Sequence, residues 1–238
     1  MCETCGCQDH KQDLEKKVII NKSVTELNDV LANHIQSFLL EKHILCVNLM
    51  GSPGSGKTAV IEGLLRYIDV SDIAVIQGDL ESDLDKKRLE KKGVLTYQIN
   101  THSGCHLTSA MINKALYELD VQHKKYLLIE NVGNLVCPAG VKIGQHVNVV
   151  VSSTTEGADK PKKYPYVFMD ADLVVISKYD VVEYVDFNVD GYLQDIRNIN
   201  ANVTIVKTST KDPDSFKNVI SFFEHKRDHL LGKSHKHK

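Results

Sequence analysis

The stretch Gly51-Ser52-Pro53-Gly54-Ser55-Gly56-Lys57-Thr58 decides the fold. It matches the phosphate-loop pattern G-x-x-x-x-G-K-[ST] at every fixed position. Its flanks agree. Ile44 to Met50 is a short apolar run that reads as a buried strand, and Ala59 to Ile68 reads as a helix. The glycines let the backbone curl so that successive N–H groups point at anionic oxygens. The helix that follows adds the positive end of its dipole. Lys57 is placed to reach β- and γ-phosphates, and Thr58 to hold Mg2+. A ligand-free glycine turn would need strand, loop, Lys-Thr pair and helix to fall in this order by accident. The chain therefore reads as binding a nucleoside triphosphate.

Outward from the loop, strands and helices alternate. Ile73–Ile76, Leu95–Ile99, Tyr126–Glu130, Val147–Val151, Leu173–Ser177 and Val203–Lys207 read as strands. Leu84–Lys92, Leu107–Leu119 and Asp214–Leu231 read as helices, and Val24, Leu27, Leu31, Ile35 and Phe38 give Val24–Leu40 a helical spacing. This alternation predicts an α/β fold, a phosphate-loop NTPase with a mostly parallel sheet and helices on both faces. Ligands of such sheets bind at the carboxyl ends of strands. The expected organisation is a flexible metal-binding arm over residues 1–20, a nucleotide-binding domain over 21–231 and a polar His/Lys tail over 232–238.

Composition bounds the function. The chain has 238 residues, of which 42% are hydrophobic and 25% charged, which suits one globular domain with extensions. A formal charge of −2 gives no reason to expect nucleic acid or an anionic membrane as partner. No apolar run has the length for membrane insertion. The first residues, MCETCGCQDHKQDLEKK, lack an apolar core of the secretory kind, so the expected location is cytoplasmic. In a reducing cytosol, the six cysteines read as metal ligands or reactive thiols rather than disulfides.

Several residues extend the nucleotide reading. Asp79 follows a strand and can reach the Mg2+ held by Thr58, although an Asp there also suits the cap of the next helix. Glu130-Asn131-Val132-Gly133 gives E-x-x-G where many nucleotide hydrolases have D-x-x-G. It places Glu130 in the magnesium's outer shell and the Gly133 N–H toward the γ-phosphate. Ser177-Lys178-Tyr179-Asp180 is similar to the guanine-reading N-K-x-D motif. There Asp180 accepts from guanine N1–H and its exocyclic amine, and the Lys178 stem packs on the base. Ser177 in place of Asn loses an amide anchor. Thr208-Ser209-Thr210-Lys211 resembles a second guanine-contacting loop, or is a polar turn. Together these favour GTP over ATP. With neither a glutamine nor an arginine finger evident, slow turnover is expected.

Two groups of thiols point to metals. Cys2, Cys5 and Cys7 bring three sulfurs within six residues, a soft site for Zn2+, Cu+ or Ni2+ whose fourth ligand is open. Cys105-His106 and Cys137 are plausible ligands for Zn2+ or Ni2+. Their spacing is too wide for a motif, and three ligands leave a site incomplete, as at a dimer seam. His235 and His237 belong to a solvated basic tail.

The combination resembles the HypB family, SIMIBI-class GTPases that assist nickel insertion into nickel–iron hydrogenase. The resemblance rests on Cys2-Glu-Thr-Cys-Gly-Cys7, the phosphate loop, Gln77-Gly-Asp-Leu-Glu-Ser-Asp83, Gly104-Cys-His-Leu107, Glu130-Asn-Val-Gly-Asn-Leu-Val-Cys-Pro138, Asp159-Lys-Pro161 and Lys163-Tyr-Pro165. It implies a tight nickel site at Cys2, Cys5 and Cys7 and a labile nickel or zinc site at Cys105, His106 and Cys137. It also implies GTP-dependent homodimerisation coupled to metal release, with Lys160 or Lys163 near the interface. The implied partners are the hydrogenase large subunit and other nickel-delivery accessory proteins. Two other readings are a urease-accessory-type nickel GTPase and a nickel or zinc storage or sensing protein with a vestigial nucleotide site. The intact Lys57 and Thr58 argue against the last.

Overall fold

The computed structural model describes residues 7–79 and 84–232, with side chains described from residue 23 onward. Cys2, Cys5, His235, His237 and the segment 80–83 lie outside the described residues, and Cys7 is described by its backbone alone. In chain order the elements are α1 (Cys7–Glu41), β1 (Leu45–Met50), α2 (Lys57–Leu64), β2 (Ile73–Asp79), α3 (Leu84–Glu90), β3 (Leu95–Asn100), α4 (Ser109–Glu118) and β4 (Tyr126–Glu130). They continue with β5 (Val147–Ser153), α5 (Lys160–Lys163), α6 (Pro165–Met169), β6 (Leu173–Ser177), α7 (Val189–Ile199), β7 (Thr204–Lys207) and α8 (Lys217–Leu230).

The seven strands form one sheet in the order β3-β2-β4-β1-β5-β6-β7. Every pairing is parallel, as the strand–helix alternation predicts. The central strand β1 is buried along its whole length. Its alternate side chains serve two layers. Leu45, Val47 and Leu49 pack with Val60, Ile61 and Leu64 of α2 and with Val219, Ile220 and Phe223 of α8. On the other face, Cys46 joins Ile35 and Leu39 of α1 and Ile112 and Ala115 of α4. Met50 joins Phe168 of α6 and Tyr192 of α7. Each such buried side chain stabilises the fold by about 1.5–3 kcal/mol relative to exposure. The sheet is therefore the rigid platform, and the functional loops leave its carboxyl edge. β1 sits between β4 and β5, so chain direction diverges at its carboxyl end, where ligands of such sheets bind.

Three boundaries differ from the sequence reading. Helix α1 reaches back to Cys7 instead of starting near Val24, because Cys7–Glu41 contains neither Gly nor Pro to stop it. It ends where His43 takes a left-handed conformation (φ 61°), with Ile44 N donating to Leu39 O and His43 N to Leu40 O. Helix α7 is absent from the sequence reading although Val189, Tyr192, Leu193, Ile196 and Ile199 recur at helical spacing, with Tyr192 and Ile196 buried and the other three packed partly buried against the same core. Its start is set by a cap: the Asn188 side chain accepts from Gly191 N. The last helix is preceded by a 3-10 turn over Pro213–Phe216, so α8 proper begins at Lys217.

Candidate nucleotide and metal site

The phosphate loop joins the end of β1 to the start of α2. Gly54 and Gly56 both take positive φ, 74° and 94°, a conformation that strains any side-chain-bearing residue. Gly56 occupies the N-cap of α2 with no side chain closing it, so the first-turn N–H groups face outward for an anion. Lys57 is 7% exposed, and its Nζ donates to the Gly51 and Ser52 carbonyls, both at 3.2 Å. The ammonium thus bends over the loop where phosphate charge is expected. Burial pulls its pKa below the ordinary lysine range, while the nearby Glu130 and Glu156 carboxylates oppose that shift.

The acid side of the site is built from β2 and β4. Thr58 Oγ1 donates to Glu130 Oε1 at 2.8 Å, and Gln77 Nε2 donates to Glu130 Oε2 at 2.9 Å. Burial raises the Glu130 pKa, and the Gln77 hydrogen bond and the Lys57 charge work against that rise. Asp79 ends β2, and with Thr58 and Glu130 it lines a cavity of about 390 Å3 beside the phosphate loop. These are hard oxygen donors, the set that suits Mg2+. Gly133 packs on the loop itself: a Cβ there would lie 2.9 Å from Pro53 Cγ and 3.0 Å from Pro53 N. The E-x-x-G stretch is therefore pressed against the phosphate loop.

The segment after β6 also reaches the loop. Ser177 Oγ donates to Ser55 O at 2.5 Å, and Lys178 Nζ donates to Gly54 O at 2.9 Å. The Ser177 hydroxyl thus ties this segment to the phosphate loop. The approach is close: a Cβ on Gly56 would lie 3.3 Å from Ser177 Oγ. Asp180 accepts from Ser209 Oγ at 2.6 Å, with Lys211 Nζ 3.4 Å from its other oxygen. The Ser209 hydrogen bond holds the Asp180 carboxyl below its ordinary pKa. Loop 208–211, ambiguous in sequence, therefore meets the guanine motif. Lys178 and Asp180 do not line the phosphate cavity.

The Cys105, His106 and Cys137 ligand atoms lie within 4.8 Å of one another. Cys105 Sγ sits 3.5 Å from His106 Nδ1. Residues 31 apart in sequence thus converge, which spacing alone did not establish. Both segments are tied to the loop after β4. Asn131 Oδ1 accepts from Leu107 N at 3.2 Å, and Asn134 Oδ1 accepts from Val136 N at 2.8 Å and from Cys137 N at 3.4 Å. Lys163 forms an ion pair with Asp159, and Lys160 lies over the Tyr164 ring. Neither lysine lines the phosphate cavity within one chain.

Sequence reasoning missed Gln77, Gln98 and Arg88, all at the phosphate cavity. Arg88 on α3 is paired with Glu62 at 2.6 Å and with Asp85 at 2.9 Å. The available signal was position: Gln77 lies in the strand that ends at Asp79, and Arg88 lies one helical turn past Asp85.

A phosphate loop at the carboxyl end of the central parallel strand, with its threonine hydrogen-bonded to the acid of a neighbouring strand, defines a phosphate-loop nucleotide-binding domain. Residues 45–207 match the family described as CobW/HypB/UreG, nucleotide-binding domain. The chain is 42% identical to the hydrogenase/urease maturation factor HypB of Helicobacter hepaticus, over 92% of each protein. Its structure resembles that of HypB from Helicobacter pylori in complex with nickel, with a TM-score of 0.82 and 38% identity, covering 89% of this chain and 99% of that one. HypB from Archaeoglobus fulgidus superposes with a TM-score of 0.79 at 35% identity, covering 85% and 99%. The chain belongs to the HypB family of hydrogenase maturation factors.

Proposed function

We propose that this protein is a GTP-hydrolysing nickel metallochaperone that delivers Ni2+ during maturation of nickel–iron hydrogenase. The observation that carries the reading is the shared loop after β4. Glu130 holds the phosphate-loop Thr58 at one end, and Asn134 holds the backbone of Cys137 at the other. One segment thereby touches the phosphate loop and carries Cys137, one of the three candidate metal ligands. The names of the relatives agree with this reading: one solved HypB is in complex with nickel, and the Azotobacter vinelandii and Escherichia coli relatives are hydrogenase maturation factors.

In this reading the loop N–H groups and Lys57 neutralise charge on the β- and γ-phosphates, Thr58 and Asp79 hold Mg2+, and Glu130 stands in its outer shell. Mg2+ bound there would supply charge neutralisation for the triphosphate. Water attacks the γ-phosphorus in line, and GDP and phosphate leave. Lys178 and Asp180 read guanine. Turnover is slow, so the nucleotide acts as a switch. GTP draws two copies together, and the labile Cys105–His106–Cys137 site, which takes Ni2+ or Zn2+, releases its metal toward the hydrogenase large subunit or another nickel-delivery protein. Cys2, Cys5 and Cys7 form a separate nickel site. The protein works in the cytoplasm; among the described residues no helix is long and apolar enough to cross a membrane.

A second reading of the recipient has its own support, because the Helicobacter relatives are hydrogenase/urease maturation factors. On that reading the same cargo also reaches urease. Complementation tests the proposal. In cells lacking their own HypB, the wild-type chain restores hydrogenase activity at low nickel and Lys57→Ala does not. Equal restoration by Lys57→Ala would leave a storage protein with an idle nucleotide site.

A further inference from the structure

We infer that Asn131 is the positioning residue that carries the nucleotide state of the phosphate loop to the Cys105–His106–Cys137 cluster. The inference rests on the GTP-controlled metal site proposed above. Asn131 is 2% exposed and follows Glu130 directly. Its backbone N donates to Leu49 O at 2.9 Å, which pins it to the end of β1. Its side-chain oxygen accepts two backbone hydrogen bonds, from Val132 N at 3.0 Å and from Leu107 N at 3.2 Å. Val132 precedes Gly133, the glycine packed on Pro53 of the phosphate loop. Leu107 follows His106, and its side chain is fully buried. One oxygen atom thus joins the strip facing the phosphates to the segment bearing two of the metal-ligating residues.

The side-chain nitrogen is also engaged, donating to Asn48 Oδ1 at 3.1 Å, and Asn48 donates onward to Asn148 at 3.1 Å. An amide meets this double demand because it accepts at one atom and donates at the other. The third ligand hangs from the same strip. Asn134 N donates to Gly51 O at 3.0 Å, while its side chain accepts from Val136 N and Cys137 N. A γ-phosphate that shifts Val132 and Gly133 would therefore pull on the oxygen that fixes Leu107. It would also move the strip that fixes Cys137. Both halves of the cluster would then move relative to each other. A purely structural amide would affect stability alone.

The test uses the full chain with Cys2, Cys5 and Cys7 changed to Ala, so that Ni2+ reports on the domain site. Ni2+ is titrated into this background, into Asn131→Ala and into Asn48→Ala, each loaded with Mg2+–GDP or with Mg2+ and a non-hydrolysable GTP analogue. Coupling between two sites is commonly about 5- to 150-fold in affinity. The ratio between nucleotide forms is expected to fall to within about twofold in Asn131→Ala and to persist in Asn48→Ala, which keeps both bonds to the Asn131 oxygen. Persistence in Asn131→Ala overturns the inference. A ratio of one in the background itself overturns the parent reading instead. If Asn131→Ala does not fold, exchange of the Leu107 amide in the background chain decides. Protection that differs between the two nucleotide forms supports the inference, and identical protection overturns it.

Discussion

Thr58 Oγ1 donates to Glu130 Oε1 at 2.8 Å, across the boundary between α2 and β4. The hydroxyl that the phosphate-loop pattern assigns to Mg2+ is thus oriented by the acid of the E-x-x-G stretch. Burial raises the Glu130 pKa, so a cation at Thr58 would favour its ionised form. Glu130→Gln keeps an acceptor for Thr58 and removes the charge. GTP turnover in Mg2+ should fall by about 10²–10³, the scale for losing one preorganised electrostatic contact, while GDP affinity changes little. Turnover at the wild-type rate would remove Glu130 from the machinery.

Base choice should rest on Asp180, whose carboxylate is held ionised by Ser209. Asp180→Asn replaces an acceptor pair with one acceptor and one donor. A hydrogen bond to a charged group is worth about 1.5–3 kcal/mol, so GTP should bind roughly tenfold to a hundredfold more weakly with ATP unaffected. Competition binding with both nucleotides reads this directly, and an unchanged preference would place guanine recognition elsewhere.

The domain metal site should depend on Cys105 independently of the N-terminal cysteines. Partners outside the first coordination shell are already worth about 10- to 100-fold in metal affinity, so loss of a ligand in Cys105→Ala should cost at least about a hundredfold at this site. Nickel titration of Cys105→Ala and of the Cys2/Cys5/Cys7 triple Ala chain should each abolish a different binding event. Loss of both events in either chain would mean a single shared site.

His146 makes stability depend on pH. Its Nδ1 accepts from Cys46 N at 3.0 Å and its Nε2 lies 3.1 Å from Gln36 O, a pair that requires the neutral ring with its proton on Nε2. Burial holds its folded pKa below the ordinary value of 6.5. In the window below 6.5 the unfolded chain therefore binds a proton that the folded chain refuses, so this contribution is present above that window and is lost as pH falls through it. The slope is at most about 1.4 kcal/mol per pH unit. Denaturant unfolding between about pH 7.5 and 5.5 should show a steeper loss in the wild-type chain than in His146→Gln. Equal slopes would show that His146 does not titrate on unfolding.

The sheet was legible because each strand announced itself locally. Tyr126–Glu130 and Leu173–Ser177 match their predicted limits, since fully buried parallel strands read as unbroken apolar runs. Helix α7 went unread although Val189, Tyr192, Leu193, Ile196 and Ile199 recur at helical spacing behind the Asn188 cap. At the site, local motifs singled out residues of which Pro53, Gly54, Gly56, Lys57, Thr58, Asp79 and Glu130 line one cavity. What stayed hidden was convergence over distance. The meeting of Cys105 with Cys137, the grip of Ser177 on Ser55 and the two bonds to the Asn131 oxygen depend on how loops from different strands crowd one edge. The Arg88 and Gln98 lining follows from the placement of β3 beside β2 and of α3 against β3.

If nucleotide state controls the Cys105–His106–Cys137 site, nickel affinity there must differ between nucleotide forms. The direct measurement is the Ni2+ dissociation constant of that site in the Mg2+–GDP form and in the form loaded with Mg2+ and a non-hydrolysable GTP analogue. Nickel should bind more weakly in the GTP-like form, by at least about fivefold, with an equal weakening of analogue binding by nickel. Equal nickel affinities in the two forms would contradict it.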